Sequence, residues 1–173
     1  MEDNFNLDDF DADEPADEAP DPLREVLEKP LRHKARDIMF LTRALLESLG
    51  PGPESDPAEG IDEEAEEDWL YEVQRYMLEH AMLLGAKLAS VGKTTDFGQR
   101  LETAVLIKRA ACELQAHTAL LRSFDRTPPE YLDALRAEID EFRQLFRPWV
   151  ASFDRTDHYD DGWGLFTPLL PPE

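Results

Sequence analysis

The sequence is poor in cysteine, poor in base and free of long apolar runs. Its one cysteine, Cys112, cannot close an intramolecular disulfide, so the fold must rest on burial and hydrogen bonding. No stretch approaches the roughly 20 apolar residues that a membrane-spanning helix requires, which argues against a membrane-embedded chain. The first residues lack the basic-then-apolar pattern of a secretory signal, and the expected compartment is therefore a reducing cytoplasm. Lys and Arg number 18 against 39 Asp and Glu, a formal net charge of −21. Such a balance repels polyanions and disfavours direct nucleic-acid binding.

The acids are concentrated rather than spread. Residues 1–21 hold ten of them and residues 54–68 nine, both without a Lys or Arg, which leaves 20 acids against 18 bases elsewhere. The chain thus reads as a near-neutral body bearing two charged segments that attract basic surfaces. Phe5, Leu7 and Phe10 interrupt the first block. The segment is expected to be a disordered acidic tail, or one whose apolar anchors dock on a partner or lie back on its own domain.

The remainder predicts an all-α four-helix bundle over residues 22–153, with helices at about 22–49, 62–91, 96–123 and 128–153. Residues 50–61 form an acidic linker and residues 154–173 an irregular C-terminal extension packed on the bundle. The first helix carries Leu31, Ala35, Ile38, Thr42, Leu45 and Leu49 at the 3.6-residue period, with Arg32, Arg36, Arg43 and Glu47 opposite. Pro22 suits its first turn, whereas Pro30 is expected to kink or restart it. The linker after Gly50-Pro51 is long enough to cross a bundle end, so helices 1 and 2 need not be neighbours.

The second helix places Trp69, Val73, Tyr76, Met77, His80, Leu84, Leu88 and Val91 on one face. Asp96 with Gln99 is expected to cap the third helix, and Thr127-Pro-Pro-Glu130 to open the fourth with Thr127 as N-cap. The fourth then follows Tyr131, Leu135, Ile139, Phe142, Phe146, Trp149 and Phe153. Trp163, Leu165, Phe166, Leu169 and Leu170 are too apolar to stay bare and are expected to run back along the bundle. The string Ser-Phe-Asp-Arg-Thr occurs at both 123–127 and 152–156 and reads as a reused helix stop.

The third helix has two apolar stripes. Ile107, Ala110, Leu114, His117 and Leu121 form one; Leu101, Val105, Cys112, Ala116 and Ala119 form another nearly opposite. No helix is central in a bundle of four, so the second stripe, rich in small residues, is expected either to contact another chain or to be covered by a terminal segment.

Chemical motifs are sparse. Gly92-Lys93-Thr94 has the ending of a phosphate-binding loop, but Lys87 stands where that pattern needs glycine, and a helix rather than a strand precedes it. Arg75 and His80 share the spacing of helical ribonucleases, yet five helical positions turn the side chains about 140° apart. His80 and His117 can approach across the helix 2–helix 3 hairpin, but Glu113 lies four residues from His117 instead of the three of di-iron bundles, and it points to a polar flank. Cys112 sits among small apolar residues with no adjacent base. No catalytic residue, metal site or cofactor is expected.

Residues 138–154 (EIDEFRQLFRPWVASFD) and 161–166 (DGWGLF) resemble the C-terminal part of an uncharacterised family of small bacterial all-helical proteins. The resemblance covers about the last third of the chain and extends loosely over helix 3. It implies a helical bundle in an intracellular bacterial setting and carries no activity.

The expected function is that of a non-enzymatic interaction protein forming a homo-oligomer, with acidic segments suited to a basic protein partner. Its candidate contact residues are Phe5, Leu7, Phe10, Leu101, Val105, Cys112, Ala116 and Ala119. The alternatives are an antitoxin-like or nucleic-acid-mimicking inhibitor, and a ribonuclease-like or metal-binding bundle that uses His80.

Overall fold

Each predicted amphipathic stripe becomes a helix. The computed structural model describes residues 22–49, 61–123, 127–160 and 162–163, with α1 at Pro22–Ser48, α2 at Ile61–Val91, α3 at Phe97–Ser123 and α4 at Pro129–Ala151. The chain is an all-α four-helix bundle with an irregular C-terminal segment packed against its end. No described helix is long and apolar enough to cross a membrane. Phe5, Leu7, Phe10, most of the 50–61 linker, and Leu165, Phe166, Leu169 and Leu170 lie outside the described residues.

The helices form a ring. Both α1 and α3 pack against α2 and α4, so helices 1 and 2 are neighbours. The core is the set of inward stripes: Leu31, Ile38 and Leu45 from α1, Met77, Leu84 and Leu88 from α2, Ile107, Leu114 and Leu121 from α3, and Leu132, Phe142 and Trp149 from α4, all fully buried or nearly so. Each large apolar side chain withdrawn from water contributes about 1.5–3 kcal/mol before chain entropy is charged against it. Lys34 of α1 ties the ring shut: its Nζ donates to Glu138 Oε2 at 2.7 Å and Glu141 Oε2 at 2.6 Å on α4. Those two carboxylates raise the lysine pKa well above its ordinary value.

Four expectations are corrected. Of the two outcomes expected at Pro30, a kink or a restart, the restart does not occur, since α1 runs through it. Pro30 is exposed and the hydrogen bond it forgoes would have gone to the carbonyl of Val26, itself exposed, where water can replace it. Thr127 does not cap α4: the N-cap is Pro128, with φ −53° and ψ 126°, and the helix starts at Pro129. A residue before proline is pushed out of the helical region, so Pro128 cannot be the first helical residue, and the Thr127 hydroxyl is buried without a hydrogen-bond partner. Tyr131, Trp69 and Tyr76 are exposed, while Leu132 and Leu70 take the buried positions beside the first two and Met77, expected inside, is buried beside the third. Trp163, expected to be covered, is 83 % exposed.

The helix-stop reading of the repeated string has a local basis. Ser123 Oγ donates to the Leu120 carbonyl and Ser152 Oγ to the Trp149 carbonyl, both three residues back. After the second stop, Asp154 Oδ1 accepts from the backbone N–H and the hydroxyl of Thr156, a turn that competes with further helix. These bonds hold the Asp154 carboxyl below its usual range.

Candidate interaction surface

The two stripes of α3 have opposite fates. Ala104, Ile107, Ala110, Leu114 and Leu121 are buried. On the other side Val105 is 57 % exposed, Cys112, Ala116 and Ala119 are exposed, and Leu101 is half-buried. The outer stripe is therefore a strip of small and apolar side chains along the outside of the bundle, with Leu106 adding a further exposed apolar group beside it.

Between that strip and α4 lies a groove of about 280 Å³. Ala111, Cys112 and Gln115 line it from α3, and Ile139, Phe142 and Phe146 from α4, and the charged residues Lys108, Asp140, Arg143 and Arg147 border it as well. Arg143 pairs with Asp140 at 3.2 Å. Among the described residues neither Lys108 nor Arg147 forms an ion pair. With three bases against one acid, the border of the groove is net basic on a chain whose net charge is strongly acidic.

A polar clasp closes the bundle end where α1 and α3 begin. Glu28, 3 % exposed, and Arg100, 7 % exposed, meet at 3.3 Å across the bundle. Arg32 Nη2 reaches the other Glu28 oxygen at 2.7 Å, and the Arg100 guanidinium lies 4.3 Å from the ring centroid of buried Phe153. Sequence reasoning missed this pair although the signal existed: Glu28 precedes Leu31 and Ala35 at stripe spacing, and Arg100 precedes Ala104 and Ile107 in the same way. Two opposite charges at core positions are best read as partners.

The C-terminal segment caps α3 at this end. Asp96 Oδ1 accepts from the Gln99 N–H at 2.8 Å, the expected cap, while Asp96 Oδ2 accepts from the Tyr159 N–H at 2.6 Å. The Phe97 N–H donates to the Asp157 carbonyl at 2.7 Å. These N–H groups, Gln99 first and Tyr159 next, hold the Asp96 carboxyl below its usual range, with nearby His158 adding to the effect. Gly98 permits the approach, since a Cβ there would lie 3.2 Å from the His158 ring.

His80 and His117 do come together, with ring centroids 5.8 Å apart. Tyr76 stacks on His117 at 6.4 Å, and the Arg75 guanidinium sits 4.5 Å from the Tyr76 ring centroid. Burial first, and His80 second, pull the His117 pKa below its ordinary value against the Glu113 carboxylate. Arg75 points outward, bonded to Glu72 at 2.7 Å, so it does not converge with His80. Among the described residues no group of three or more potential metal ligands is assembled. At Gly92-Lys93 the backbone is an ordinary helix stop, with the Lys93 N–H on the Ser90 carbonyl and the Thr94 N–H on that of Val91.

No family model matches the chain, and neither the curated proteins nor the solved structures yield a match.

Proposed function

We propose that the chain is a non-enzymatic interaction protein, a helical bundle that associates with a second copy of itself through the outer face of α3. The supporting observation is that α3 is apolar on two sides and the bundle covers only one, leaving Val105, Leu106, Cys112, Ala116 and Ala119 exposed. Apolar side chains exposed at repeated positions on the outside of a helix, here with Lys108 and Arg109 between Val105 and Cys112, are candidate contact points. Small residues at 112, 116 and 119 let a second backbone come close, and a two-fold axis would set the strip against its own copy. Outside residues 1–21 and 54–68 the charges nearly balance, but six acids of the second block, Asp62 to Asp68, open α2, so salt should relieve repulsion between two copies and favour the dimer. Sedimentation velocity of the full chain at rising concentration tests this: a reversible dimer is expected, and Val105→Glu with Ala116→Glu should hold the chain monomeric. A native chain that stays monomeric throughout would refute it.

A second reading draws on the 19 acids of residues 1–21 and 54–68, which carry no base. It makes the chain an antitoxin-like or nucleic-acid-mimicking inhibitor whose acidic segments occupy a basic protein partner. A partner complex that dissolves at moderate salt while self-association persists would favour it. The likeness of residues 138–154 and 161–166 to small bacterial helical proteins supports a cytoplasmic setting for either reading and adds no activity.

A further inference from the structure

The α3–α4 groove has an apolar floor and a basic rim, and at about 280 Å³ it is at or below the size of sites that enclose a small organic ligand. It suits one or two large side chains followed by acids. The sequence of this chain contains such a segment: residues 1–21 carry Phe5, Leu7 and Phe10 among ten acids and no base. We infer that this N-terminal segment docks in cis on the α3–α4 groove, its apolar anchors against Ala111, Phe142 and Phe146 and its acids against Lys108, Arg143 and Arg147.

The tether reaches. The eleven residues between Phe10 and Pro22 span up to about 36–40 Å when extended. α1 begins at the bundle end where Glu28 meets Arg100 and where Phe153 lies, and it packs beside α4. Phe146 stands seven helical positions before Phe153 and Lys108 eight after Arg100, each about 10–12 Å along the axis. Pro22 lies six helical positions, about 9 Å, before Glu28, so the segment has to cross α4 and run about 20 Å, nearly four turns, down it, which the extended tether still covers.

Other occupants fit less well. Residues 164–173 are apolar but contain one acid, Glu173, and so lack the charge that the rim calls for. A second copy would present the outer face of α3, which brings its own Lys108 toward the same basic rim. The acidic N-terminal segment matches both features of the groove and is held at an effective concentration in the millimolar range by its own chain. Docked there, it covers Cys112 and one flank of the outer α3 strip, so salt would govern how much of that strip is open. This goes beyond self-association and does not depend on it.

Cys112 lines the groove and is the only thiol, which makes it a reporter in the unaltered protein. The experiment is alkylation of the full chain by neutral iodoacetamide, followed by intact mass, at low and high salt and at two protein concentrations. With about 1 mM effective concentration and a weak contact of about 0.1 mM, docking should slow alkylation about ten-fold relative to the Phe5→Ser, Leu7→Ser, Phe10→Ser variant. At protein concentrations where sedimentation finds only monomer, the difference in rate between the native chain and the triple variant should be independent of concentration, fall as salt rises, and be lost in Arg143→Glu with Arg147→Glu; a dimer through Cys112 would protect both chains alike and only at higher concentration. Equal rates in the native chain and the triple variant would overturn the inference. So would a difference between native chain and triple variant that vanishes on dilution into the monomer range, which assigns the groove to a second copy, or protection that survives the triple variant and is lost in Leu165→Ser with Phe166→Ser.

Discussion

Replacing Arg100 by Met removes a guanidinium from a site only 7 % exposed, together with its contact to Glu28 at 3.3 Å and its approach to the Phe153 ring at 4.3 Å. Breaking one side of a buried ion pair costs about 3–5 kcal/mol, most of it the penalty on the charge left behind. Here Glu28 keeps Arg32 at 2.7 Å, which lowers the expectation to about 2–4 kcal/mol, including about 1–2 kcal/mol for the lost cation–ring contact. Exchanging both members, Glu28→Leu with Arg100→Met, removes the buried charges together and should return stability to within about 1 kcal/mol of the native chain. The coupling energy from the double-mutant cycle should therefore exceed about 1.5 kcal/mol. The exposed pair Arg43–Glu47, four residues apart on α1, is the control and should couple by only about 0.3–0.5 kcal/mol. Urea unfolding reads both cycles as midpoint shifts at constant slope. Single losses that simply add, with coupling below about 0.5 kcal/mol, would refute the claim that the clasp is an energetic unit.

Three further outcomes are expected. Because the folded His117 binds its proton less readily than the unfolded chain does, the unfolded state holds more protons just below the ordinary histidine pKa of about 6.5, and stability should fall as pH drops through that value; thermal unfolding should show this slope, and His117→Gln should flatten it. Lys34→Met should cost about 1–2 kcal/mol, because it leaves Glu138 and Glu141 of α4 facing each other without the lysine that bridges them, and part of the loss should be masked by high salt in chemical denaturation. Gly98→Ala places a Cβ 3.2 Å from the His158 ring and should loosen the 157–159 segment, seen as faster amide exchange at Tyr159 and Phe97 with the bundle midpoint nearly unchanged.

How far the sequence foretold the molecule differs from one helix to another. α1 and α4 were legible because each has one apolar stripe, and the period alone sets which side turns inward. Errors arose where a side chain is half polar: Tyr131, Tyr76 and Trp69 can lie at a stripe edge with their rings partly solvated, so Leu132 and Leu70 take the inner positions beside Tyr131 and Trp69, and Met77 alone holds that beside Tyr76. Pro30 misled for another reason, since the cost of a proline depends on whether water reaches the carbonyl it abandons, which is a fact about the surface and not about the local string. α3 was legible as two-faced, and the small residues of its second stripe marked that stripe as the outer one, as Val105, Cys112, Ala116 and Ala119 are.

The α3–α4 groove was not legible at all, and the reason is geometric. Periodicity describes directions around one helix, whereas a groove is the space left between two. Lys108 and Cys112 lie four apart on α3, and Arg143 and Arg147 four apart on α4; each pair reads alone as an ordinary exposed flank. Only when α3 packs beside α4 do the two flanks face one gap floored by Phe142 and Phe146. A set of cations scattered over 40 residues then becomes one basic rim, and the acidic run at the N-terminus acquires a surface of opposite charge within its reach. The charge imbalance of the sequence is therefore better understood as a relation between segments than as a sum: acids gathered in residues 1–21 and 54–68, and bases brought together by folding where apolar surface remains uncovered.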